Sequence, residues 1–175
     1  MAINKIKGIC VTGINFGVNR EVVKKVADPD EIKHFISIKK ALSIDREKRN
    51  NWWNEARNNR ISKSNFRELQ QTITRYEDDL KGYRKAWRCA WADEMTNGLY
   101  TVSRKLPPWV LKTAVGKYGY GYARINVNPG DLFLFIGRDK KGDVEFLHQA
   151  SNFIVKLPRG SGICDSFCKL EENNK

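Results

Sequence analysis

The stretch NFRELQQTITRYEDDLKGYRKAWRCA, residues 65 to 90, decides how this chain folds. Its apolar positions are Phe66, Leu69, Ile73, Tyr76, Leu80, Tyr83, Trp87 and Ala90. They alternate steps of three and four residues, the signature of an apolar seam along one side of a helix. Asn65 with Glu68 has the form of a capping box, with Asn where Ser or Thr is usual. Asn97-Gly98 supplies a C-terminal stop. The spacing predicts one long helix over about residues 65–96. At 1.5 Å per residue its length is about 45 Å, more than a small domain is wide. Gly82 in its middle costs about 1 kcal/mol relative to Ala and marks a place for a bend or a close contact.

Upstream, Asp28-Pro29 reads as a helix start, with Asp30 and Glu31 suited to the positive end. Ile32, Phe35, Ile36 and Leu42 then form an apolar stripe. A second, short helix opens at Ser43 or Asp45 and runs through Arg57 on a poorer pattern. Lys5 to Thr12, KIKGICVT, alternates as a strand does, and Gly13 and Gly17 punctuate the loop after it.

After Gly98 the texture changes. Leu99 to Ser103 suits a strand, and Pro107-Pro108 starts a short helix over residues 109–117. Tyr122 to Val127, Leu132 to Ile136, Val144 to His148 and Phe153 to Leu157 read as antiparallel strands, with NPGD, GRDKKGD and QASN as turns. The expected fold class is α+β. Residues 1–98 form a mainly helical region with an N-terminal strand. Residues 99–175 form a small antiparallel β region, patterned like an SH3-like half-barrel, and the two pack as one compact unit.

Charge gives the strongest global signal. Lys and Arg total 32 against 20 Asp and Glu, a formal net charge of +12 in 175 residues. The excess is spread over both halves of the chain rather than gathered in a tail. Such a charge attracts polyanions and speeds their encounter. Nucleic acid is the commonest partner of this kind and an acidic protein face the next. The plainer alternative is a solubility surface.

The cations fall into three groups. Lys81, Arg84, Lys85 and Arg88 lie beside the helical seam and are expected to face solvent. Arg46, Lys48, Arg49, Arg57, Arg60 and Lys63 surround the Trp52-Trp53 pair. Arg138, Lys140 and Lys141 mark a hairpin tip. Neighbouring residues on a helix point about 100° apart. One ring of the tryptophan pair is therefore expected inside and the other outside, to anchor a partner or stack on a base. Trp91 is a third candidate ring, although regular spacing favours packing for the aromatics of the seam.

Signs of catalysis are weak. His34 and His148 are isolated in sequence, and both suit structural or surface roles. No nucleophile elbow, phosphate-binding loop or metal-binding helix motif is present. GYGYG lacks the preceding strand and following helix of a dinucleotide site. Cys164 and Cys168 are spaced more widely than a zinc pair, and the four cysteines read as reduced thiols of a cytoplasmic protein. Asp131, Asp139 and Lys140-Lys141 have the residue types of a metal-dependent nuclease. Their positions fall at opposite ends of one strand, about 20 Å apart at 3.3 Å per residue. No catalytic residue, metal or cofactor is assigned. No apolar run is long enough to cross a membrane, and MAINKIKGICVTGINF lacks the features of a signal peptide.

The leading expectation is a basic, non-enzymatic protein that contacts the phosphate backbone of DNA or RNA. The alternative is an interaction module or inhibitor, docked on an acidic face or nucleic-acid groove of a partner enzyme. A small metal-dependent nuclease comes third. Self-association through the long helix is a further expectation, and no membrane partner is expected.

Overall fold

The computed structural model describes residues 15–56, 62–107, 112–113 and 125–170. Among the described residues three helices come first: α1 (Arg20–Val26), α2 (Pro29–Ala56) and α3 (Lys63–Glu94). Six strands follow among them: β1 (Leu99–Val102), β2 (Lys112–Thr113), β3 (Leu132–Arg138), β4 (Val144–His148), β5 (Phe153–Leu157) and β6 (Phe167–Lys169). A 3-10 turn, Cys164–Ser166, precedes β6. The fold is α+β, and its long helix lies where the seam predicts.

The ends of α3 differ from the sequence reading by a few residues. Its N-cap is Ser62, whose side chain accepts from Ser64 N, so Asn65 lies inside the helix. It ends at Glu94, with Met95 as C-cap. Gly98 serves the turn into β1 instead. Its φ is +144°, and a Cβ there would lie 2.5 Å from Lys169 Cε.

On the seam, Leu69, Ile73, Leu80 and Trp87 are buried. What covers them is the chain itself. α2 runs antiparallel to α3, with Trp87 Nε1 donating to Glu31 Oε2 at 2.9 Å near one end. Arg46 Nη2 meets Glu77 Oε1 at 2.5 Å midway. The Trp53 and Phe66 rings lie 5.9 Å apart near the other end. The seam is thus filled within one copy of the chain.

α2 is one helix, not the two expected. Nothing at Ser43 to Asp45 interrupts it, and its apolar pattern fades for a different reason. Past Leu42 none of its described residues is buried. That half and the facing start of α3 form a thin two-helix arm. α1 is absent from the sequence reading. Asn19 caps it, accepting from Glu21 N at 2.9 Å, and it places Val22 and Val23 in the helical core.

The sheet is antiparallel, in the order β2-β5-β4-β3-β1-β6. β3, β4 and β5 form a meander, and β6 returns beside β1. That run of five, with the 3-10 turn before the last strand, has the strand order of an SH3-like half-barrel. Strand order alone assigns no function. The register of β3 shifts between Phe135 and Gly137.

Several expectations change after β1. Lys112–Thr113 is a strand paired with β5, where a helix over 109–117 was expected. Val127 forms a single bridge with Leu106, and residues 122–124 of the strand expected there lie outside the described residues. So does the expected strand over residues 5–12. β6 and its 3-10 turn are too short to show a period in sequence.

The sheet's inner face carries Tyr100, Val102, Phe133, Phe146, Val155, Leu157 and Phe167, which with Ala92 and Met95 make the second core. Trp91 packs against both cores. Its indole N–H donates to Phe167 O at 3.2 Å. Asn19 N donates to Asp165 Oδ2 at 2.8 Å. These contacts fasten the helical part to the sheet.

Candidate nucleic-acid interface

The cations beside the seam do not share one role. Arg84 and Arg88 are half-buried. Arg84 Nε donates to Phe16 O at 2.7 Å, and Arg88 Nη2 donates to Gly17 O. Their expected solvent-facing position is therefore corrected. The loop before α1 crosses α3 at this point, and its carbonyls need donors once they leave water. Burial, and then the neighbouring Arg88, lowers the Arg84 pKa from its usual value. Lys81 and Lys85 are exposed, as expected.

Helix geometry carries these two lysines toward the sheet. Residues 81, 85, 89 and 93 lie four apart on one ridge of α3. Gly160 rests on that ridge. A Cβ on it would fall 2.7 Å from Cys89 Sγ and 3.7 Å from Lys85 Cγ, and its φ is +77°. The next contact is Asp93, which holds Arg159 through two oxygens, with Arg159 Nε 2.7 Å from Oδ1. Arg159 keeps the Asp93 carboxyl below its usual pKa. Arg159 in turn lies against the next turn, its Cδ 3.4 Å from where a Cβ on Gly142 would stand.

That turn carries exposed Lys140 and Lys141. Asp139 shapes it, accepting from Lys141 N at 2.8 Å and Asp143 N at 2.9 Å. Arg138 points elsewhere. Its Nη2 donates to Ala92 O, Asp93 O and Met95 O at 2.6, 3.0 and 2.7 Å. It thus caps the negative end of α3. Members of the first and third cation groups, distant in sequence, join Arg159 in one basic stripe: Lys81, Lys85, Arg159, Lys140 and Lys141. Its helical part alone, from residue 81 to 93, is about 18 Å long.

The second group is more dispersed. Arg46 is paired with Glu77, and Lys48 Nζ sits 4.8 Å from the Trp52 ring centroid. Arg49 is half-buried. Arg57 and Arg60 lie outside the described residues. Trp52 and Trp53 divide as expected. Trp52 packs against the helical core, whereas Trp53 is 61% exposed and touches Phe66.

The chemical candidates lie apart. Asp131 Oδ2 accepts from Asn128 N at 2.8 Å and is 3.4 Å from His148 Nε2. Asp139 instead meets Lys156 Nζ at 2.7 Å. No cluster of three or more His, Cys, Asp or Glu able to hold a metal occurs among the described residues. His148 is buried against Phe133, with Nδ1 2.8 Å from Ser151 Oγ in the adjoining turn. That contact spans three residues and pins the hairpin. His34 is exposed, with its ring edge-on to Tyr83. Cys164 Sγ donates to Pro158 O at 3.4 Å, and burial raises its pKa.

Arg159 is the member of the stripe that sequence reasoning missed. Its only local mark is the Pro-Arg-Gly turn chemistry at 158–160, and its partner Asp93 is 66 residues away. Among the described residues, no helix is long and apolar enough to cross a membrane. Comparison with protein-family models, curated proteins and solved structures finds no match to this chain.

Proposed function

We propose that this protein is a basic, non-enzymatic nucleic-acid-binding protein that grips the phosphate backbone through the α3–hairpin stripe. The observation that carries the reading is the chain of contacts, Lys85 to Gly160 and Arg159 to Gly142, that joins the helix bearing Lys81 and Lys85 to the turn bearing Lys140 and Lys141. All four lysines are exposed, and none has a salt-bridge partner among the described residues. Exposed ammonium groups in a row suit phosphates, which position a nucleic acid without reading its sequence. A reducing, cytoplasmic setting suits the unpaired thiols Cys89, Cys164 and Cys168.

The purified protein should retard duplex DNA or RNA at low salt. Affinity should fall with salt at a log–log slope of about −0.9 per phosphate contact on duplex DNA. Failure to bind DNA or RNA of either strandedness at low salt would overturn the reading. One observation favours a second reading, a protein-interaction module: the exposed Trp53 near the end of the two-helix arm, a residue type that dominates interface hot spots. Loss of a partner on Trp53→Ala, with nucleic-acid affinity unchanged, would favour it.

A further inference from the structure

Between α1, the end of α3 and the edge strand β6 lies a cleft of about 550 Å³, within the usual range of about 300–1,000 Å³ for small-molecule sites. Trp91 forms one wall. The indole bond to Phe167 O fixes the orientation of this partly exposed ring. Lys24, Lys25 and Lys169 line the cleft as well. Lys25 Nζ lies 5.1 Å from the Trp91 ring centroid and 3.8 Å from Glu94. Lys24 Nζ lies 3.1 Å from Glu21, and Lys169 Nζ 3.0 Å from Thr96 Oγ1. All three lysines are exposed, so these contacts are weak and exchangeable.

We propose that this cleft takes one unstacked nucleotide of a single-stranded nucleic acid. The base displaces the Lys25 ammonium from the Trp91 ring and stacks there, and its phosphates meet the displaced Lys25 and Lys169. This rests on the nucleic-acid reading above and adds strandedness to it. A flat ring held by its own N–H suits a base, because every base has a π-face. An acidic peptide would use the lysines but leave the ring without a planar partner. Asn19 and Glu21 line the same cleft, where Asn19 Oδ1 caps α1 and Glu21 pairs with Lys24. Trp91 follows Cys89, on the ridge that carries Lys81 and Lys85, by two residues, which turns it about 160° around α3 from that ridge. The cleft therefore binds independently of the stripe.

The test uses the full chain, a short oligothymidylate and a duplex of the same length. Protein labelled with fluorotryptophan reports on the ring directly, with the Trp91 resonance assigned from Trp91→Phe. The expected result is a saturable shift of that resonance with the oligothymidylate. Lys25→Ala with Lys169→Ala should weaken single-strand binding about fivefold or more. Lys40→Ala with Lys105→Ala, exposed positions away from the cleft, removes the same charge and should weaken it less. Trp91 also packs on both cores, so Trp91→Ala is read only on protein that circular dichroism shows to be folded, where it should cost about fivefold to a hundredfold, the range for one lost stack. An oligothymidylate that binds without moving the Trp91 resonance, and binds both lysine pairs equally, overturns the cleft proposal and leaves the stripe standing. Wild-type protein that binds neither strand form overturns the nucleic-acid reading itself.

Discussion

At Arg84 the sequence and the structure part over one side chain. Its position beside the seam puts it next to Lys81 and Lys85, and spacing alone cannot tell a solvated cation from a clamp. The loop at Phe16 and Gly17 decides, because it presents carbonyls that Arg84 and Arg88 reach. Gly17 makes the close approach possible. Its φ is +67°, and a Cβ there would stand 2.6 Å from Arg84 Nε. Gly17→Ala should lower stability by about 1–3 kcal/mol, the scale of a strained backbone residue. Arg84→Ala leaves the Phe16 carbonyl without its donor and should cost about 1–3 kcal/mol. Urea unfolding measures both. Loss of duplex affinity in folded Arg84→Ala, with stability untouched, would return Arg84 to the binding surface.

At the scale of elements, legibility followed the length of the pattern. α3 showed itself because its seam repeats over several heptads, and β4 and β5 because turn chemistry brackets them. α1 and β6 are too short to establish a period. Their places are set by distant partners, Asp165 for the start of α1 and β1 for β6. The unbroken α2 was hidden for the opposite reason: past Leu42 its described residues include none that is fully buried, and partly buried Trp52 alone makes no stripe. The stripe of cations was legible only as separate groups, since the Arg159 link depends on tertiary contact. Buried and exposed residues of α2 and α3 predict contrasting responses. Leu80 is 2% exposed, and Leu80→Ala should cost about 2–5 kcal/mol, as for other buried leucines. Trp53→Ala, on the thin arm, should change stability by about 0.5 kcal/mol or less, as exposed substitutions do. A large loss at Trp53 by thermal or urea unfolding would mean that the ring braces the arm through Phe66 and is not free for a partner.

Over the whole molecule, the basic stripe exists only because two layers meet in one register. Lys81 and Lys85 belong to the helix, Lys140 and Lys141 to the sheet, and the loop at Arg159 and Gly160 sets their spacing. A duplex that follows the stripe should contact both pairs. Lys81→Ala with Lys85→Ala should flatten the salt slope by about one to two contacts, and so should Lys140→Ala with Lys141→Ala. Each pair should leave stability within about 1 kcal/mol, since exposed charges contribute little. Net charge alone predicts the same losses, so the geometry needs a substitution that alters no charge. Gly160→Ala is that change. The new methyl meets Cys89 Sγ at a positive φ, so the loop must lift from α3 and carry Arg159 with it. Duplex affinity should fall although every cation remains. Adding Cys89→Ala removes the collision but not the backbone strain, and should restore part of the affinity. The readout is fluorescence anisotropy with a labelled duplex, alongside circular dichroism to confirm folding. A folded Gly160→Ala protein that binds duplex as the wild type does would mean that the two layers act as separate charge patches, with no shared path for the backbone.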